Sequence, residues 1–242
     1  MKAVILNSGI GSRMGKETKD IPKCLINIGH SETILSRQLN ILINNGIDDI
    51  TITTGYCGSQ IKDYITNFSS SHISCVYNPK YRSTNCIYSL YLVGDVGDED
   101  VILMHGDVVF EQAIFKRLLE PEKENTVLVK RTKEFLDKDF RGRIKDGKVT
   151  EIAIGICAAD SYPIFPVYKL SNEFYRLWIN EIDKFVTSGK IGVYAENALN
   201  KILKSVKLEP VYFDSGLCME VDTEADLQAA RKLIKNGSLQ WS

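Results

Sequence analysis

Residues 2–23 read KAVILNSGIGSRMGKETKDIPK, and this stretch determines the predicted fold. Its apolar start, residues 2–7, has the length and character of a strand buried on both faces of a parallel sheet. Gly9 and Gly11 follow at once, and glycines allow a backbone to turn its N–H groups inward and to approach an anion closely. A buried strand followed by such a loop predicts an anion site at the end of the first strand.

Basic side chains strengthen this interpretation. Arg13, Lys16 and Lys23 follow the glycines, while Ser8 and Ser12 add hydroxyl donors. At an effective dielectric constant near 20, each close contact with a phosphate charge contributes about 4 kcal/mol before desolvation. We therefore expect a polyphosphate here, the alternative being a glycine-rich surface turn with incidental basic residues. As side chains of a surface loop, Arg13 and Lys23 are expected to contribute little to stability.

Two common phosphate-binding motifs do not fit the loop. A P-loop requires glycine at position 10 and Ser or Thr at position 17, where this chain has Ile10 and Glu17. A dinucleotide fingerprint requires a third glycine at position 14, which is Met14. The loop therefore predicts a different class of nucleotide site.

The next hundred residues alternate between strand and helix patterns. ILSRQLNILINNG, CGSQIKDYITNF and CIYSLYLVG have helical spacing, whereas DDITITT, ISCVYN and DVILMHGD read as strands. This βαβα order predicts an α/β three-layer sandwich with a mostly parallel, doubly wound sheet. RIKDGKVTEIAIG predicts a hairpin turning at Asp146-Gly147, and VDTEADLQAARKLIKNG predicts a closing helix capped by Thr223. We expect one domain over residues 1–242, with the hairpin region inserted beside the site.

Composition excludes several function classes. The 242 residues carry 30 Lys+Arg against 31 Asp+Glu, a net charge of −1, which argues against a polybasic nucleic-acid-binding surface. Neither a signal peptide nor a run of about 20 apolar residues is present, so no membrane partner is expected. The six cysteines form no CxxC pair. A cytoplasmic protein with reduced thiols is the expectation.

The pattern GxGSRxG, followed after a gap by PK, resembles the sugar-phosphate nucleotidylyltransferase family. Asn7 and Ser8 stand where that family commonly has two alanines, and Asn7 is expected to alter contacts with the base. NPKYRSTNCIYSLYLV and MEVDTEADLQAARK are similar to segments of bacterial choline-phosphate cytidylyltransferases. The resemblance implies a nucleotide-diphospho-sugar-transferase-like fold and transfer of a nucleotidyl group from an NTP to a phosphate, releasing pyrophosphate.

The resemblance also implies roles for charged residues. Arg13 and Lys23 would be catalytic, and Asp107 and Asp222 would hold Mg²⁺. Each acid follows a strand pattern, and carboxylates with phosphate oxygens suit Mg²⁺. Alternatively, Asp107 is a turn residue and Asp222 a charge at a helix start. Glu220 is a candidate partner of Asp222.

CTP is the expected nucleotide on the resemblance, over UTP or GTP. The residues expected to bind it lie in the glycine loop and in NPKYRSTN, a loop placed to read a pyrimidine edge. They are Leu6, Asn7, Ser8, Gly9, Gly11, Ser12, Ser83, Thr84 and Asn85.

The expected acceptor is phosphocholine or a similar small phosphorylated or phosphonate compound. Tyr168, Tyr194 and Glu196 are the candidates for a cation-binding pocket, although packing in the core is slightly favoured for the two tyrosines. If instead Arg141 and Arg143 line the pocket, an acidic acceptor is favoured. Two further hypotheses remain: a sugar-1-phosphate nucleotidylyltransferase, which often has a longer chain, and a non-catalytic nucleotide-sensing module, against which the intact acids and basic residues argue.

Overall fold

The computed structural model describes residues 1–68, 71–120, 122–132, 134 and 138–235. Its strands and helices follow one another in the order β1 (Lys2–Asn7), β2 (Asn27–Gly29), β3 (Glu32–Thr33), α1 (Ile34–Asn44), β4 (Asp49–Thr54), α2 (Gly58–Ile65), β5 (His72–Tyr77), α3 (Cys86–Val93), β6 (Val101–His105), β7 (Val108–Phe110), α4 (Gln112–Leu118), β8 (Thr126–Lys130), β9 (Phe140–Lys145), β10 (Lys148–Ile154), β11 (Ser161–Leu170), α5 (Asn172–Thr187), α6 (Ala195–Ile202), β12 (Glu209–Phe213), β13 (Cys218–Glu220) and α7 (Glu224–Lys235).

The first half of the chain builds the parallel part of the sheet. β1 lies between β4 and β6, β5 lies outside β4, and all these pairings are parallel. The order β6-β1-β4-β5 places the carboxyl ends of four strands at one edge, where an open α/β sheet forms its ligand crevice. The glycine loop after β1 therefore lies beside the residues that follow β6.

Side chains alternate across β1, so both faces of the sheet are buried. Ala3 and Ile5 pack with α1, α2 and α4, whereas Val4 packs on the other face with α3, α5 and α6. A third apolar cluster joins α7 to the β2–β3 hairpin. These layers confirm the predicted three-layer α/β sandwich.

The second half extends the sheet with antiparallel strands. β11 pairs with β6 along its last residues, with β8 on the other side, and with β9 at its start. The β9–β10 hairpin turns at Asp146-Gly147, both in the left-handed region, as the sequence predicted. Pro163 and Pro166 obscure β11 in the sequence, because proline is uncommon inside strands. The register with β8 shifts between Phe165 and Tyr168, next to Pro166.

Two short antiparallel strands carry the acidic residues. β7 pairs with β13, so Asp107 just before β7 and Asp222 just after β13 emerge close together. The Asp107 backbone carbonyl accepts a hydrogen bond of 2.9 Å from the Val221 N–H. Within the described residues, no helix is both long and apolar enough to cross a membrane.

Candidate active site

A cleft of about 390 Å³ opens at the carboxyl edge of the parallel strands. It lies between the glycine loop, the loop after β5, the end of β6 and Tyr194, the residue before α6. Its lining residues are Leu6, Asn7, Ser8, Gly9, Ile10, Gly11, Ser12, Arg13, Lys23, Cys24, Asn78, Tyr81, Thr84, Asn85, Cys86, Ser89, His105, Gly106, Asp107, Tyr194 and Asp222. The structure thus brings together most of the residues predicted from separate parts of the sequence.

The glycine loop is shaped by Gly11. This residue has a φ of 71°, a left-handed conformation that favours glycine, and its carbonyl accepts hydrogen bonds from the Thr18 hydroxyl and the Met14 N–H, each 2.9 Å. A Cβ on Gly11 would meet Lys23 and Thr18 at 3.1 Å. A Cβ on Gly9, in contrast, would have no neighbour within 4 Å among the described residues. The Gly9 backbone is therefore open to a ligand in the cleft.

Asn7 packs against the backbone of Gly106. A Cβ on Gly106 would lie 1.6 Å from Asn7 Oδ1, so any larger residue there would displace the Asn7 side chain. The Asn7 N–H donates to Thr53 Oγ1 at 3.0 Å. Its buried Nδ2 has no hydrogen-bond partner in the part of the chain that the structure describes. Asn7 therefore has an unused donor buried beside Gly106, and its expected contact with the base stays a prediction.

Lys23 lies between the two predicted metal-binding acids. Its Nζ is 2.8 Å from Asp107 Oδ2 and 2.7 Å from Asp222 Oδ1. Arg13 donates to the same Asp222 oxygen at 2.9 Å. The Lys23 side chain is 14% exposed and that of Asp222 is 6% exposed, whereas that of Arg13 is 58% exposed. The expectation that Lys23 is a surface side chain is wrong, because its ammonium group is enclosed by the carboxylates of Asp107 and Asp222.

The charges in this cluster reinforce one another. Burial alone would lower the pKa of Lys23, but the adjacent charges of Asp107 and Asp222 outweigh it and raise that pKa. Burial opposes ionisation of Asp107, yet Lys23 and, next, His105 hold its pKa below the ordinary value. At neutral pH the Lys23 ammonium group therefore lies beside an ionised Asp107 carboxylate.

Glu220 is the third acid of this region. Burial, followed by the charge of Asp107, raises the pKa of Glu220 to about 8. Among the described residues, buried atoms Glu220 Oε1 and Asp107 Oδ1 have no hydrogen-bond partner. Unpartnered carboxylate oxygens are the ligands that a hard divalent cation prefers. Asp107 and Asp222 therefore offer oxygen ligands of the kind that Mg²⁺ takes, and Glu220 lies near enough for the charges of both to act on it.

The loop after β5 is organised by Asn78, a residue that the sequence analysis did not single out. Asn78 is buried, and its Nδ2 donates to Thr84 Oγ1 at 3.1 Å and to Ser89 Oγ at 3.0 Å. Thr84 and Asn85 reach the cleft, and Asn85 also caps α3 by accepting from the Cys86 N–H at 2.7 Å. Ser83 was predicted at the nucleotide but is exposed and does not line the cleft, because its hydroxyl turns toward the Lys80 carbonyl.

The predicted acceptor residues separate into two groups. Tyr194 lines the cleft. Tyr168 and Glu196 are 0% and 1% exposed, and the Tyr168 hydroxyl donates to Glu196 Oε1 at 3.0 Å. The structure therefore places these two residues beneath the cleft wall, where neither contacts a ligand in the cleft directly.

His105 connects this buried pair to the cleft. Its Nε2 is 3.4 Å from Glu196 Oε1, and its ring is edge-on to Phe140 with centroids 6.0 Å apart. Burial would lower the pKa of His105, but the charge of Glu196 outweighs it and raises that pKa well above the usual value. Glu196 thus has a cationic partner inside the protein. Local sequence patterns do not predict this contact, because His105 and Glu196 are far apart in sequence.

Arg141 and Arg143 do not line the cleft. Arg141 is buried and donates to the Ser161 hydroxyl at 2.6 Å and to its carbonyl at 3.0 Å. Arg143 is exposed and pairs with Asp160 at 2.9 Å. The proposal of a basic hairpin face toward the acceptor is therefore not supported by the placement of either guanidinium.

Comparisons with known proteins agree with this geometry. A family model described as the MobA-like NTP transferase domain matches residues 3–240. A CTP:phosphoglutamine cytidylyltransferase of Campylobacter jejuni is 26% identical over 162 residues. The match covers 64% of this chain and 63% of that protein, which is less than two thirds of its length. A choline-phosphate cytidylyltransferase of Streptococcus pneumoniae is 24% identical over 242 residues, 98% of this chain and 99% of that one.

The fold is shared with a solved cytidylyltransferase. The structure of the CTP:phosphocholine cytidylyltransferase of Streptococcus pneumoniae superposes with a TM-score of 0.81 at 23% identity, covering 96% of this chain and 98% of that one. This similarity confirms the predicted nucleotide-diphospho-sugar-transferase-like sandwich.

Proposed function

Because the chain belongs to the MobA-like NTP transferase family, we propose that it transfers CMP from CTP to a small phosphorylated or phosphonate acceptor and releases pyrophosphate. The observation that carries the proposal is the cluster of Lys23, Arg13, Asp107 and Asp222 at the floor of a cleft that begins with the glycine loop. The choice of CTP is supported by relatives whose names specify that nucleotide.

The proposed reaction needs no covalent intermediate with the protein. An anionic oxygen of the acceptor phosphate or phosphonate forms a bond to the α-phosphorus, and the bond from that phosphorus to the bridging oxygen of pyrophosphate breaks. The acceptor oxygen is already charged near neutral pH, since the second pKa of a phosphate monoester is about 6. Catalysis then consists of positioning and of neutralising negative charge.

Different residues of the cleft would bind the triphosphate, neutralise its charge and hold the metal. The open Gly9 backbone and the exposed part of Arg13 face the triphosphate. Lys23 brings a buried positive charge to the point where the acids and the phosphates meet. Asp107 and Asp222, with Glu220 beside them, would hold Mg²⁺, which when bound neutralises phosphate oxygens and orients them.

The acceptor that we propose first is phosphocholine. Tyr194 lines the cleft, and an aromatic ring is a side chain that binds a quaternary ammonium group. A whole-length relative named for choline phosphate supports this choice.

A second candidate is a phosphorylated acceptor without a quaternary ammonium group. The specific observation in its favour is that Glu196, the acid expected to face the ammonium group, is buried against His105 and Tyr168. The relative from Campylobacter jejuni is named for phosphoglutamine, which has no such group.

Pyrophosphate release distinguishes these candidates. CTP, UTP, GTP and ATP are each assayed with phosphocholine, 2-aminoethylphosphonate, a phosphorylated amino-acid derivative and glucose 1-phosphate. The proposal predicts turnover with CTP and at least one of the first three acceptors. Turnover with glucose 1-phosphate alone would establish a sugar-1-phosphate nucleotidylyltransferase instead, and binding of CTP without turnover would indicate a sensing module.

A further inference from the structure

Gln38 is a polar residue on the buried face of α1. Its neighbours on that face, Leu35, Leu39 and Leu42, pack into the apolar core, and Gln38 itself is 0% exposed. Within the described residues its Oε1 has no hydrogen-bond partner. Burying an amide with an unsatisfied oxygen is unfavourable, so packing alone does not account for glutamine here.

The Gln38 amide nitrogen uses both of its N–H donors on one short segment. Nε2 donates to the His105 carbonyl and to the Val108 carbonyl, each at 2.9 Å. These two carbonyls bracket the Gly106-Asp107 turn between β6 and β7. A single side chain therefore binds the backbone on both sides of the turn.

Backbone hydrogen bonds hold the same turn from its other sides. The Gly106 N–H donates to the Leu6 carbonyl at 3.0 Å, and the Asp107 carbonyl accepts from the Val221 N–H at 2.9 Å. Gln38 completes this set by fixing the residues immediately before and after the turn. Asp107 is consequently fixed relative to the glycine loop and to Asp222.

We propose that Gln38 is a positioning residue, which holds the Gly106-Asp107 turn so that the Asp107 carboxylate meets Lys23 and the substrate phosphates. The inference rests on the proposed function, since it assigns Asp107 to that reaction. A displacement of about 1 Å at a reacting group reduces turnover about a hundredfold, so a side chain that never contacts substrate affects kcat through the turn.

Gln38→Met and Gln38→Glu test the proposal, because both keep the size of the side chain and remove the paired donation. Leu42→Ala is the matched control: it lies one turn further along the same buried face and makes neither hydrogen bond. All variants are assayed for pyrophosphate release at a temperature at least 15 °C below the lowest measured Tm. We expect both Gln38 variants to lose at least tenfold in kcat while KM for CTP stays within threefold, and Leu42→Ala to keep kcat within threefold of wild type.

Wild-type turnover separates the two claims. An inactive wild type with every nucleotide and acceptor refutes the proposed function, and the positioning role with it. With an active wild type, Gln38 variants that retain kcat within threefold overturn the positioning role alone. An equal loss of kcat in Leu42→Ala, or failure of both Gln38 variants to fold, would show that Gln38 acts through stability and would overturn the proposal as well.

Discussion

Replacing Lys23 by methionine removes the positive charge between Asp107 and Asp222 while keeping most of the side-chain volume. The two contacts are 2.8 and 2.7 Å, and the side chains of Asp107 and Asp222 are 27% and 6% exposed. Removing one partner of a buried ion pair destabilises a protein by roughly 3–5 kcal/mol. Because Arg13 still pairs with Asp222 and Asp107 remains partly solvated, we expect the lower end, about 3 kcal/mol.

This free energy corresponds to a measurable change in Tm. In a chain of this size each kcal/mol changes Tm by about 2–4 °C, so Lys23→Met should lower Tm by roughly 6–12 °C in metal-free buffer. Loss of a preorganised cation at the phosphates should also reduce kcat by about 10²–10³-fold. Circular dichroism melting and pyrophosphate release measure the two effects separately.

Lys19→Met is the matched control for this experiment. Lys19 belongs to the same segment but is exposed, and such substitutions usually change stability by no more than about 0.5 kcal/mol. A Lys23→Met protein with a Tm within 2 °C of wild type would refute the reasoning about the buried cluster. A kcat within threefold of wild type would refute the catalytic role.

Three further predictions concern the acids and a glycine. In EDTA-treated protein, the pKa of Glu220 is raised to about 8, so between its ordinary pKa and pH 8 the native state keeps a proton that the unfolded state has released. The free energy of unfolding of the wild type should therefore fall as the pH rises from about 4.5 to 8. Denaturant titrations of Glu220→Gln should show a flatter pH profile and a higher stability at pH 8. Asp107→Asn should raise the Mg²⁺ concentration for half-maximal pyrophosphate release by at least tenfold, and full wild-type activity in EDTA would contradict a metal-dependent mechanism. Gly106→Ala should abolish measurable turnover or lower Tm by several degrees, because its Cβ would overlap Asn7; a variant with wild-type Tm and kcat would show that this contact is unimportant.

Local patterns were sufficient to predict the parallel half of the sheet. Residues 2–7 form an apolar run that a glycine loop follows. In the next hundred residues the spacing of apolar residues alternates between that of a strand and that of a helix, and this alternation predicted the βαβα order. β11 was not identified, since Pro163 and Pro166 disrupt a strand pattern that is stabilised by pairing with three other strands.

Site residues were predictable where a motif and a strand end coincided. Asp107 and Asp222 each follow a short apolar segment, and the structure brings them to one ammonium group. The burial of Glu196 was not predictable, because it depends on His105 and Tyr168, which are distant in sequence. The role of Lys23 was incompletely predicted for the same reason: its sequence neighbours indicate a phosphate contact but not the two acids that enclose it.

The most direct test of the account is ³¹P NMR of the purified protein with CTP, MgCl₂ and phosphocholine, with 2-aminoethylphosphonate and a phosphorylated amino-acid derivative assayed in parallel. The account predicts that at least one mixture yields, in equal amounts, pyrophosphate and a product whose new resonances show an anhydride between the α-phosphorus of CTP and the acceptor. Lys23→Met should slow the formation of both by about 10²–10³-fold. Formation of CMP without the new anhydride, or turnover of CTP that is independent of the acceptor, would contradict it.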